Sequence, residues 1–204
     1  MIDPNRLYYS AHEEEKVINN YLNKNPDTEL GTYIDIGAGD PIEGNNTYYY
    51  YLRNWKGLLV EPYPRCAITI PKERPEDIFE PIAISDYEGT ISMCDSAAVK
   101  TNLGAEYKER WPEKVRNVPC ITLTLLINKY PQFQTPDILS IDVETHEKEV
   151  LTGANFEIFK PHIILVEYRV RGYDYRHKWE AMLNPYYEFK EIVGANALYV
   201  RKTI

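Results

Sequence analysis

The chain has 204 residues, of which 44% are hydrophobic and 26% are charged, and its formal net charge is −8. These values are typical of a single globular domain over residues 1–204, and the negative charge makes nucleic acid an unfavourable partner because such binding depends on neutralising phosphates. No apolar run reaches the roughly 18 residues of a membrane helix, and the first residues lack the basic flank and apolar core of a secretory signal, so we expect a cytoplasmic protein that does not enter a membrane.

The first predicted element is an amphipathic helix over residues 11–24 that covers the N-terminal side of the domain. Its spacing places Val17, Ile18, Tyr21 and Leu22 on one face, with acidic residues early and a lysine late. This charge order complements the dipole of a helix.

Short apolar runs then alternate with helical or loop segments, which is the order of βαβ units. Runs of this length suit strands that are buried on both faces of a parallel sheet. We therefore predict a doubly wound α/β fold. The predicted strands are TYIDI (32–36), GLLVE (57–61), IFEPIAIS (78–85), DILSID (137–142) and HIILVEY (162–168).

The C-terminal segment departs from this order. Residues 186–202, YYEFKEIVGANALYVRK, contain two strand-like runs joined through Gly194, Ala195 and Asn196. A hairpin is expected there, so the sheet should end with antiparallel strands.

A segment with little periodicity covers residues 94–119 and is predicted to be a lid or a substrate loop. Its basic residues suit an anionic acceptor, although the pattern favours the alternative of a solvated loop without a ligand. The basic residues are Lys100, Lys108, Arg110, Lys114 and Arg116, and the candidate substrate contacts are Asn102, Tyr107, Arg110 and Trp111.

The stretch YIDIGAGDP, residues 33–41, places Gly37 and Gly39 directly after a predicted strand. Glycines at such a turn let a ligand approach the backbone closely, although a turn that only needs permissive φ angles has the same pattern. Glu61 ends the next strand, about 20 residues further on, where an acid accepts the hydroxyls of a ribose. The pattern therefore favours a ligand with a nucleoside.

The charged residues around this turn indicate which kind of nucleoside the site would bind. The third glycine of a dinucleotide motif is replaced by Ile42, and Asp35, Asp40 and Glu43 surround the turn. These acids would repel a pyrophosphate, whereas S-adenosylmethionine (SAM) has no phosphate and carries an ammonium and a sulfonium. We therefore predict SAM as the cofactor.

Four ordered segments carry a resemblance to a known family: residues 33–64, 81–91 (PIAISDYEGTI), 121–126 (ITLTLL) and 137–156 (DILSIDVETHEKEVLTGANF). Together they resemble the FkbM family of SAM-dependent methyltransferases over roughly residues 31–168. The resemblance implies a Rossmann-like class I methyltransferase fold, a seven-stranded mostly parallel sheet with an antiparallel end, and methyl transfer to a hydroxyl of a small molecule or sugar. One departure is Thr145, where the family commonly has glycine.

The resemblance also implies roles for the cofactor residues. Asp35, Gly37 and Gly39 would form the turn beneath the methionine part of SAM, and Glu61 would hold the ribose. Asn46 or Thr47 would contact the methionine carboxylate, unless these residues only cap the following helix.

A second implied contact concerns the adenine. Ser85 and Asp86 would close the third core strand, with Asp86 accepting from the adenine amino group. The alternative is that residues 86–89, DYEG, form only a turn.

The candidate catalytic residues follow two later strands. Asp142 and Glu144 come after one buried strand and Glu167 ends another, so all three should face the cleft at the carboxyl edge of the sheet. They would complement a helix N-terminus, supply a general base, or hold a divalent cation that orients a hydroxyl. His146 is a further candidate base, with a surface histidine as the alternative.

Two other functions remain open at this point. An RNA-modifying methyltransferase would use the basic segment and the 18 tyrosines to hold a strand. A methyltransferase-like interaction domain without catalysis would keep the cleft for stability. The sequence does not indicate the acceptor or the oligomeric state.

Overall fold

The computed structural model describes residues 7–94, 97–98, 102–110 and 112–203. Its α-helices are α1 (Glu14–Asn19), α2 (Tyr48–Tyr51), α3 (Cys66–Glu73), α4 (Asn102–Arg110), α5 (Leu123–Lys129), α6 (Glu147–Thr152) and α7 (Glu180–Leu183). Its strands are β1 (Thr32–Ile36), β2 (Lys56–Val60), β3 (Ile78–Glu80), β4 (Ala83–Ser85), β5 (Gly89–Cys94), β6 (Ala97–Ala98), β7 (Val115–Thr122), β8 (Ile138–Ile141), β9 (Ile163–Glu167), β10 (Arg169–Val170), β11 (Tyr173–Asp174), β12 (Tyr187–Val193) and β13 (Asn196–Arg201).

The main sheet has seven strands in the order β12-β13-β9-β8-β1-β2-β3. The neighbours from β9 to β3 are parallel, and β13 runs antiparallel to both β9 and β12. Gly194, with φ of 58°, lies in the turn of the C-terminal hairpin. The predicted sheet and its antiparallel end are confirmed.

The sheet is covered on both faces, as a doubly wound fold requires. Successive side chains of a strand point to opposite faces, so Ile34 packs with helices α5 to α7 while Tyr33 packs with helices α1 to α3. Both side chains are fully buried. Strand β1 is thus an interior strand, between β8 and β2.

The predicted strand over residues 78–85 is wrong as a single element. It divides at Pro81 into β3, which pairs with β2, and β4, which pairs with β7. Proline has no amide hydrogen for the ladder, so the chain leaves the main sheet there. Strand β4 joins a second sheet of order β4-β7-β5-β6, and Ser85 therefore does not end a strand of the main sheet.

The predicted loop over residues 94–119 is also wrong in part, because helix α4 and half of strand β7 lie within it. Strand β7 pairs along its length with β5, from Gly89 opposite Cys120 to Cys94 opposite Val115. Lys100 and Trp111 lie outside the described residues, as do the side chains of Asn102 and Tyr107.

The predicted helix over residues 11–24 is shorter than expected, since α1 covers only Glu14–Asn19. Its two acids point inward: the Glu15 carboxylate accepts hydrogen bonds from the amides of Tyr9 and Ser10, both at 2.8 Å. The helix ends at adjacent asparagines, which favour turns over helix interiors. Within the described residues, no helix is long and apolar enough to cross a membrane.

Candidate cofactor and active site

A cavity of about 270 Å³ lies at the carboxyl ends of β1, β2 and β8. Ligands of open α/β sheets bind at this edge. One wall is apolar and comes largely from β4 and β5, while the opposite side carries carboxylates and glycines. The lining residues are Ile36, Gly37, Gly39, Val60, Glu61, Pro62, Ile82, Ala83, Ile84, Ile91, Met93, Asp142, Val143, Glu144 and His146.

The two glycines of the turn after β1 both have positive φ, 82° at Gly37 and 54° at Gly39. A β-carbon at Gly37 would meet the backbone of Asp142, whereas one at Gly39 would lie 3.9 Å from the nearest atom. Gly37 is therefore required by close packing as well as by conformation, and the turn leaves its backbone facing the cavity.

Glu61 lies at the tip of β2 and lines the cavity beside this turn. Its carboxylate accepts from the Gly39 amide at 3.2 Å and from the Tyr63 amide at 2.8 Å. Burial raises the pKa of Glu61, and its side chain is 6% exposed. An ionised carboxylate has about four acceptor sites, so two remain for ligand hydroxyls.

Asp35 does not line the cavity. Its Oδ2 accepts from Thr47 Oγ1 at 2.8 Å and from Asn45 Nδ2 at 3.2 Å, and the residue is buried. Burial raises the pKa of Asp35, while nearby Arg74 opposes that shift. Asp35 thus stabilises the glycine turn through buried hydrogen bonds and does not itself face the cavity.

Sequence reasoning missed Arg74, which is fully buried beneath the turn. Its Nε donates to Asp77 Oδ2 at 2.7 Å, one terminal nitrogen to the Tyr33 hydroxyl at 2.8 Å, and the other to Asn45 Oδ1 at 3.0 Å. Thr47 Oγ1 accepts from both terminal nitrogens at 3.1 Å. No local motif signals this arginine, because its partners are scattered along the chain.

Asn46 and Thr47 do not line the cavity either. Asn46 Nδ2 donates to Ser140 Oγ at 3.1 Å, and Thr47 belongs to the Arg74 network. Thr47 occupies the N-cap position of α2, but its side chain makes no capping hydrogen bond. The structure therefore supports neither the predicted methionine contact nor the capping alternative for Thr47.

Ser85 and Asp86 also lie outside the lining, although the apolar residues just before them belong to it. Ser85 is buried and its Oγ lies 3.1 Å from Asp86 Oδ1, while Asp86 is exposed. The adenine contact of Asp86 stays a prediction.

The three predicted acids do converge. Asp142 and Glu144 line the cavity, and Glu167 forms a hydrogen bond with the Asp142 carboxyl group. Burial, followed by repulsion from neighbouring carboxylates, raises the pKa of both Asp142 and Glu167. Two carboxyl groups that share a hydrogen bond retain one proton between them at neutral pH.

The prediction of a divalent cation held by Asp142, Glu144 and Glu167 finds no support in this geometry. Across the part of the chain that the structure describes, no group of three histidine, cysteine or acidic side chains is arranged to hold a metal ion. The carboxyl groups of Asp142 and Glu167 are instead hydrogen-bonded to each other.

His146 lines the cavity and is buried, so the alternative of a surface histidine is wrong. Its Nε2 lies 3.1 Å from Ser85 Oγ, and its Nδ1 lies 3.4 Å from Glu149 Oε2. Both ring nitrogens face protein groups. The ring is therefore held between Ser85 and Glu149.

Comparisons with known proteins identify the family and the fold. Residues 35–192 match the family model of the methyltransferase FkbM domain. An FkbM methyltransferase from Methylobacillus flagellatus has a similar fold, with a TM-score of 0.56 and 12% identity over 90% of this chain and 50% of that one, so this chain spans about half the length of that protein. A TehB-like SAM-dependent methyltransferase from Corynebacterium glutamicum has a TM-score of 0.50 and 10% identity over 98% of this chain and 90% of that one. No curated protein matches the chain.

Proposed function

Because the chain belongs to the FkbM family of methyltransferases, we propose that this SAM-dependent enzyme methylates a hydroxyl group of a small molecule or sugar. The proposal rests on one observation: Glu61, Asp142 and Glu144 line the same cavity, beside the glycine turn. A cation with a ribose matches this combination, and a diphosphate does not.

The residues of the cavity fit SAM. Glu61 retains acceptor sites for ribose hydroxyls, and the backbone at Gly37 and Gly39 is open to close approach. The wall that contains Ile84 and Met93 offers apolar area for a base. Asp142 and Glu144 supply negative charge for the ammonium and sulfonium.

SAM supplies an electrophilic methyl group when it is bound. The protein must orient the acceptor hydroxyl, exclude water and remove one proton. Burial raises the pKa of Glu144, with Arg171 opposing the shift, so its carboxylate binds a proton more readily than an exposed one. We assign proton acceptance to Glu144, and the Asp142–Glu167 pair keeps its own proton and orients the hydroxyl.

A transfer assay with methyl-labelled SAM tests the acceptor class. The protein is incubated with pools of sugars, hydroxylated small molecules and RNA, each with and without EDTA. We expect label in a sugar or small-molecule pool, no effect of EDTA, and a large loss with Glu144→Gln. Label only in RNA would establish the alternative acceptor, and no transfer by folded, SAM-binding protein would contradict the proposal.

A further inference from the structure

The turn between β8 and α6 has an unusual backbone. Glu144 and Thr145 are consecutive residues with positive φ, 55° and 76°. Residues with a β-carbon rarely adopt this conformation, and β-branched threonine is among the least suited to it. Such a conformation persists only where neighbouring groups enforce it, and it is concentrated at functional sites.

The Glu147 side chain is hydrogen-bonded to the backbone of this turn. Its Oε1 accepts from the Val143 amide at 3.2 Å and from the Thr145 amide at 3.1 Å. These two amides flank Glu144 on either side. The Glu147 side chain is 2% exposed, so water does not compete for these hydrogen bonds.

The residues of this turn form one side of the cavity. Asp142, Val143, Glu144 and His146 all line it, and the Asp142 backbone packs against Gly37. A relaxed turn would move the carboxylates of Asp142 and Glu144 relative to the glycine turn. The backbone conformation at positions 144 and 145 therefore determines where the carboxylates of Asp142 and Glu144 lie in the cavity.

We propose that Glu147 is a positioning residue that holds Asp142 and Glu144 towards the cationic part of SAM. It acts through the Val143 and Thr145 amides and does not itself line the cavity. The inference rests on the proposed function, since it requires SAM to bind in this cavity. It assigns Glu147 a role in charge recognition beyond starting helix α6.

The role of Glu147 needs an acceptor oxygen and does not need a charge. Burial raises the pKa of this carboxyl group to about 8, so it is largely protonated at neutral pH. A glutamine keeps the carbonyl oxygen that accepts from the two amides, whereas a leucine of similar size removes it. Glu147→Gln and Glu147→Leu are therefore a matched pair.

The test is calorimetric titration with SAM and with S-adenosylhomocysteine, which lacks the methyl group and the sulfonium charge but keeps the ammonium. We expect Glu147→Leu to weaken SAM binding about tenfold and S-adenosylhomocysteine binding no more than about threefold, because misplaced carboxylates affect the cation most. Glu147→Gln should bind both compounds like the wild type. A helix-starting role alone would weaken both compounds equally.

Thr145→Gly provides a rescue, because glycine adopts positive φ without needing Glu147 to enforce it. In the Glu147→Leu background, it should restore SAM affinity to within about threefold of wild type, as expected for residues that act through one turn. If Glu147→Leu alone does not fold, the double variant is compared directly with Thr145→Gly, and a SAM affinity ratio above about tenfold between them contradicts the positioning role.

Amide exchange of the wild-type protein gives a measurement that needs no variant. The Val143 and Thr145 amides should exchange slowly, and more slowly still with SAM bound. Exchange at the rate of a free loop, unchanged by SAM, would overturn the inference, as would a Glu147→Leu protein with unaltered affinity for both compounds. Wild-type protein that does not bind SAM would instead refute the proposed function.

Discussion

Gly37 packs against the main chain of Asp142 so closely that a β-carbon at Gly37 would lie 1.7 Å from the Asp142 carbonyl oxygen. The two residues follow adjacent parallel strands, and the Asp142 amide donates to the Ile36 carbonyl at 2.9 Å. The glycine turn after β1 and the turn after β8 are thus held together through backbone contacts.

Gly37→Ala should therefore separate the two turns. We expect a loss of about 3 kcal/mol or more in the free energy of unfolding, from overpacking combined with strain at φ of 82°. SAM affinity should fall below detection in calorimetry. Gly44→Ala is the control, because Gly44 also has positive φ, at 69°, but has open space around it. It should cost only about 1 kcal/mol and preserve SAM binding.

Replacement of Glu61 tests the ribose contact. Glu61→Ala removes the acceptor of the Gly39 and Tyr63 amides together with the groups that would hold ribose hydroxyls. We expect SAM affinity to fall about a hundredfold, and Glu61→Gln to have an intermediate effect. Glu88→Ala removes an exposed glutamate outside the lining and should change nothing. Equal affinities of Glu61→Ala and wild type would exclude the ribose contact.

Thr145→Gly should stabilise the protein. Threonine at φ of 76° is strained, and its hydroxyl oxygen is buried without a hydrogen-bond partner among the described residues. Relief of this strain outweighs the extra flexibility of glycine in the unfolded chain, with a net gain of about 1 kcal/mol in urea unfolding. Thr145→Ala retains the positive φ and should gain less. A less stable Thr145→Gly protein would show that the turn is not strained.

Arg74 is expected to dominate the stability of the region beneath the glycine turn. Arg74→Ala leaves Asp77 and Asp35 buried without their cation, so it should cost about 3–5 kcal/mol in urea unfolding. Lys56→Ala removes an exposed ion pair with Glu76 and should cost less than about 1 kcal/mol. Similar costs for the two variants would contradict the buried network.

The titration of Glu147 gives a pH dependence with a definite sign. Burial raises its pKa from 4.5 to about 8, so between these values the folded protein holds the proton more tightly than the unfolded chain. The contribution of Glu147 to stability is therefore lost as pH rises through this window, by up to about 1.4 kcal/mol per pH unit. Relative to Glu147→Gln, wild type should lose stability from pH 5 to pH 8, and parallel pH profiles would contradict the shift.

The sequence predicted those parts of the fold that follow from local residue patterns. Strands β1, β8 and β9 are short, mostly apolar runs, and the hairpin of β12 and β13 carries its glycine at the turn. Glu61 was identified because a strand tip places its side chain at the ligand edge of any such sheet. These inferences need no knowledge of distant contacts.

The remaining features depend on contacts between distant residues or on backbone angles. Arg74 meets Tyr33, Asn45 and Thr47 only in the folded chain. Strand β7 has mixed polarity and contains a proline, so its pairing with β5 was not apparent. The part played by Glu147 follows from positive φ at Thr145, which no residue pattern reveals.

The most direct test of the central claim is calorimetric titration of the wild-type protein with SAM and, separately, with NAD. The acidic cavity beside Gly37, Gly39 and Glu61 should bind the cationic nucleoside and reject the diphosphate. We predict saturable heat with SAM at one site per chain and none with NAD. Saturable binding of NAD, with no heat from SAM, would contradict the account.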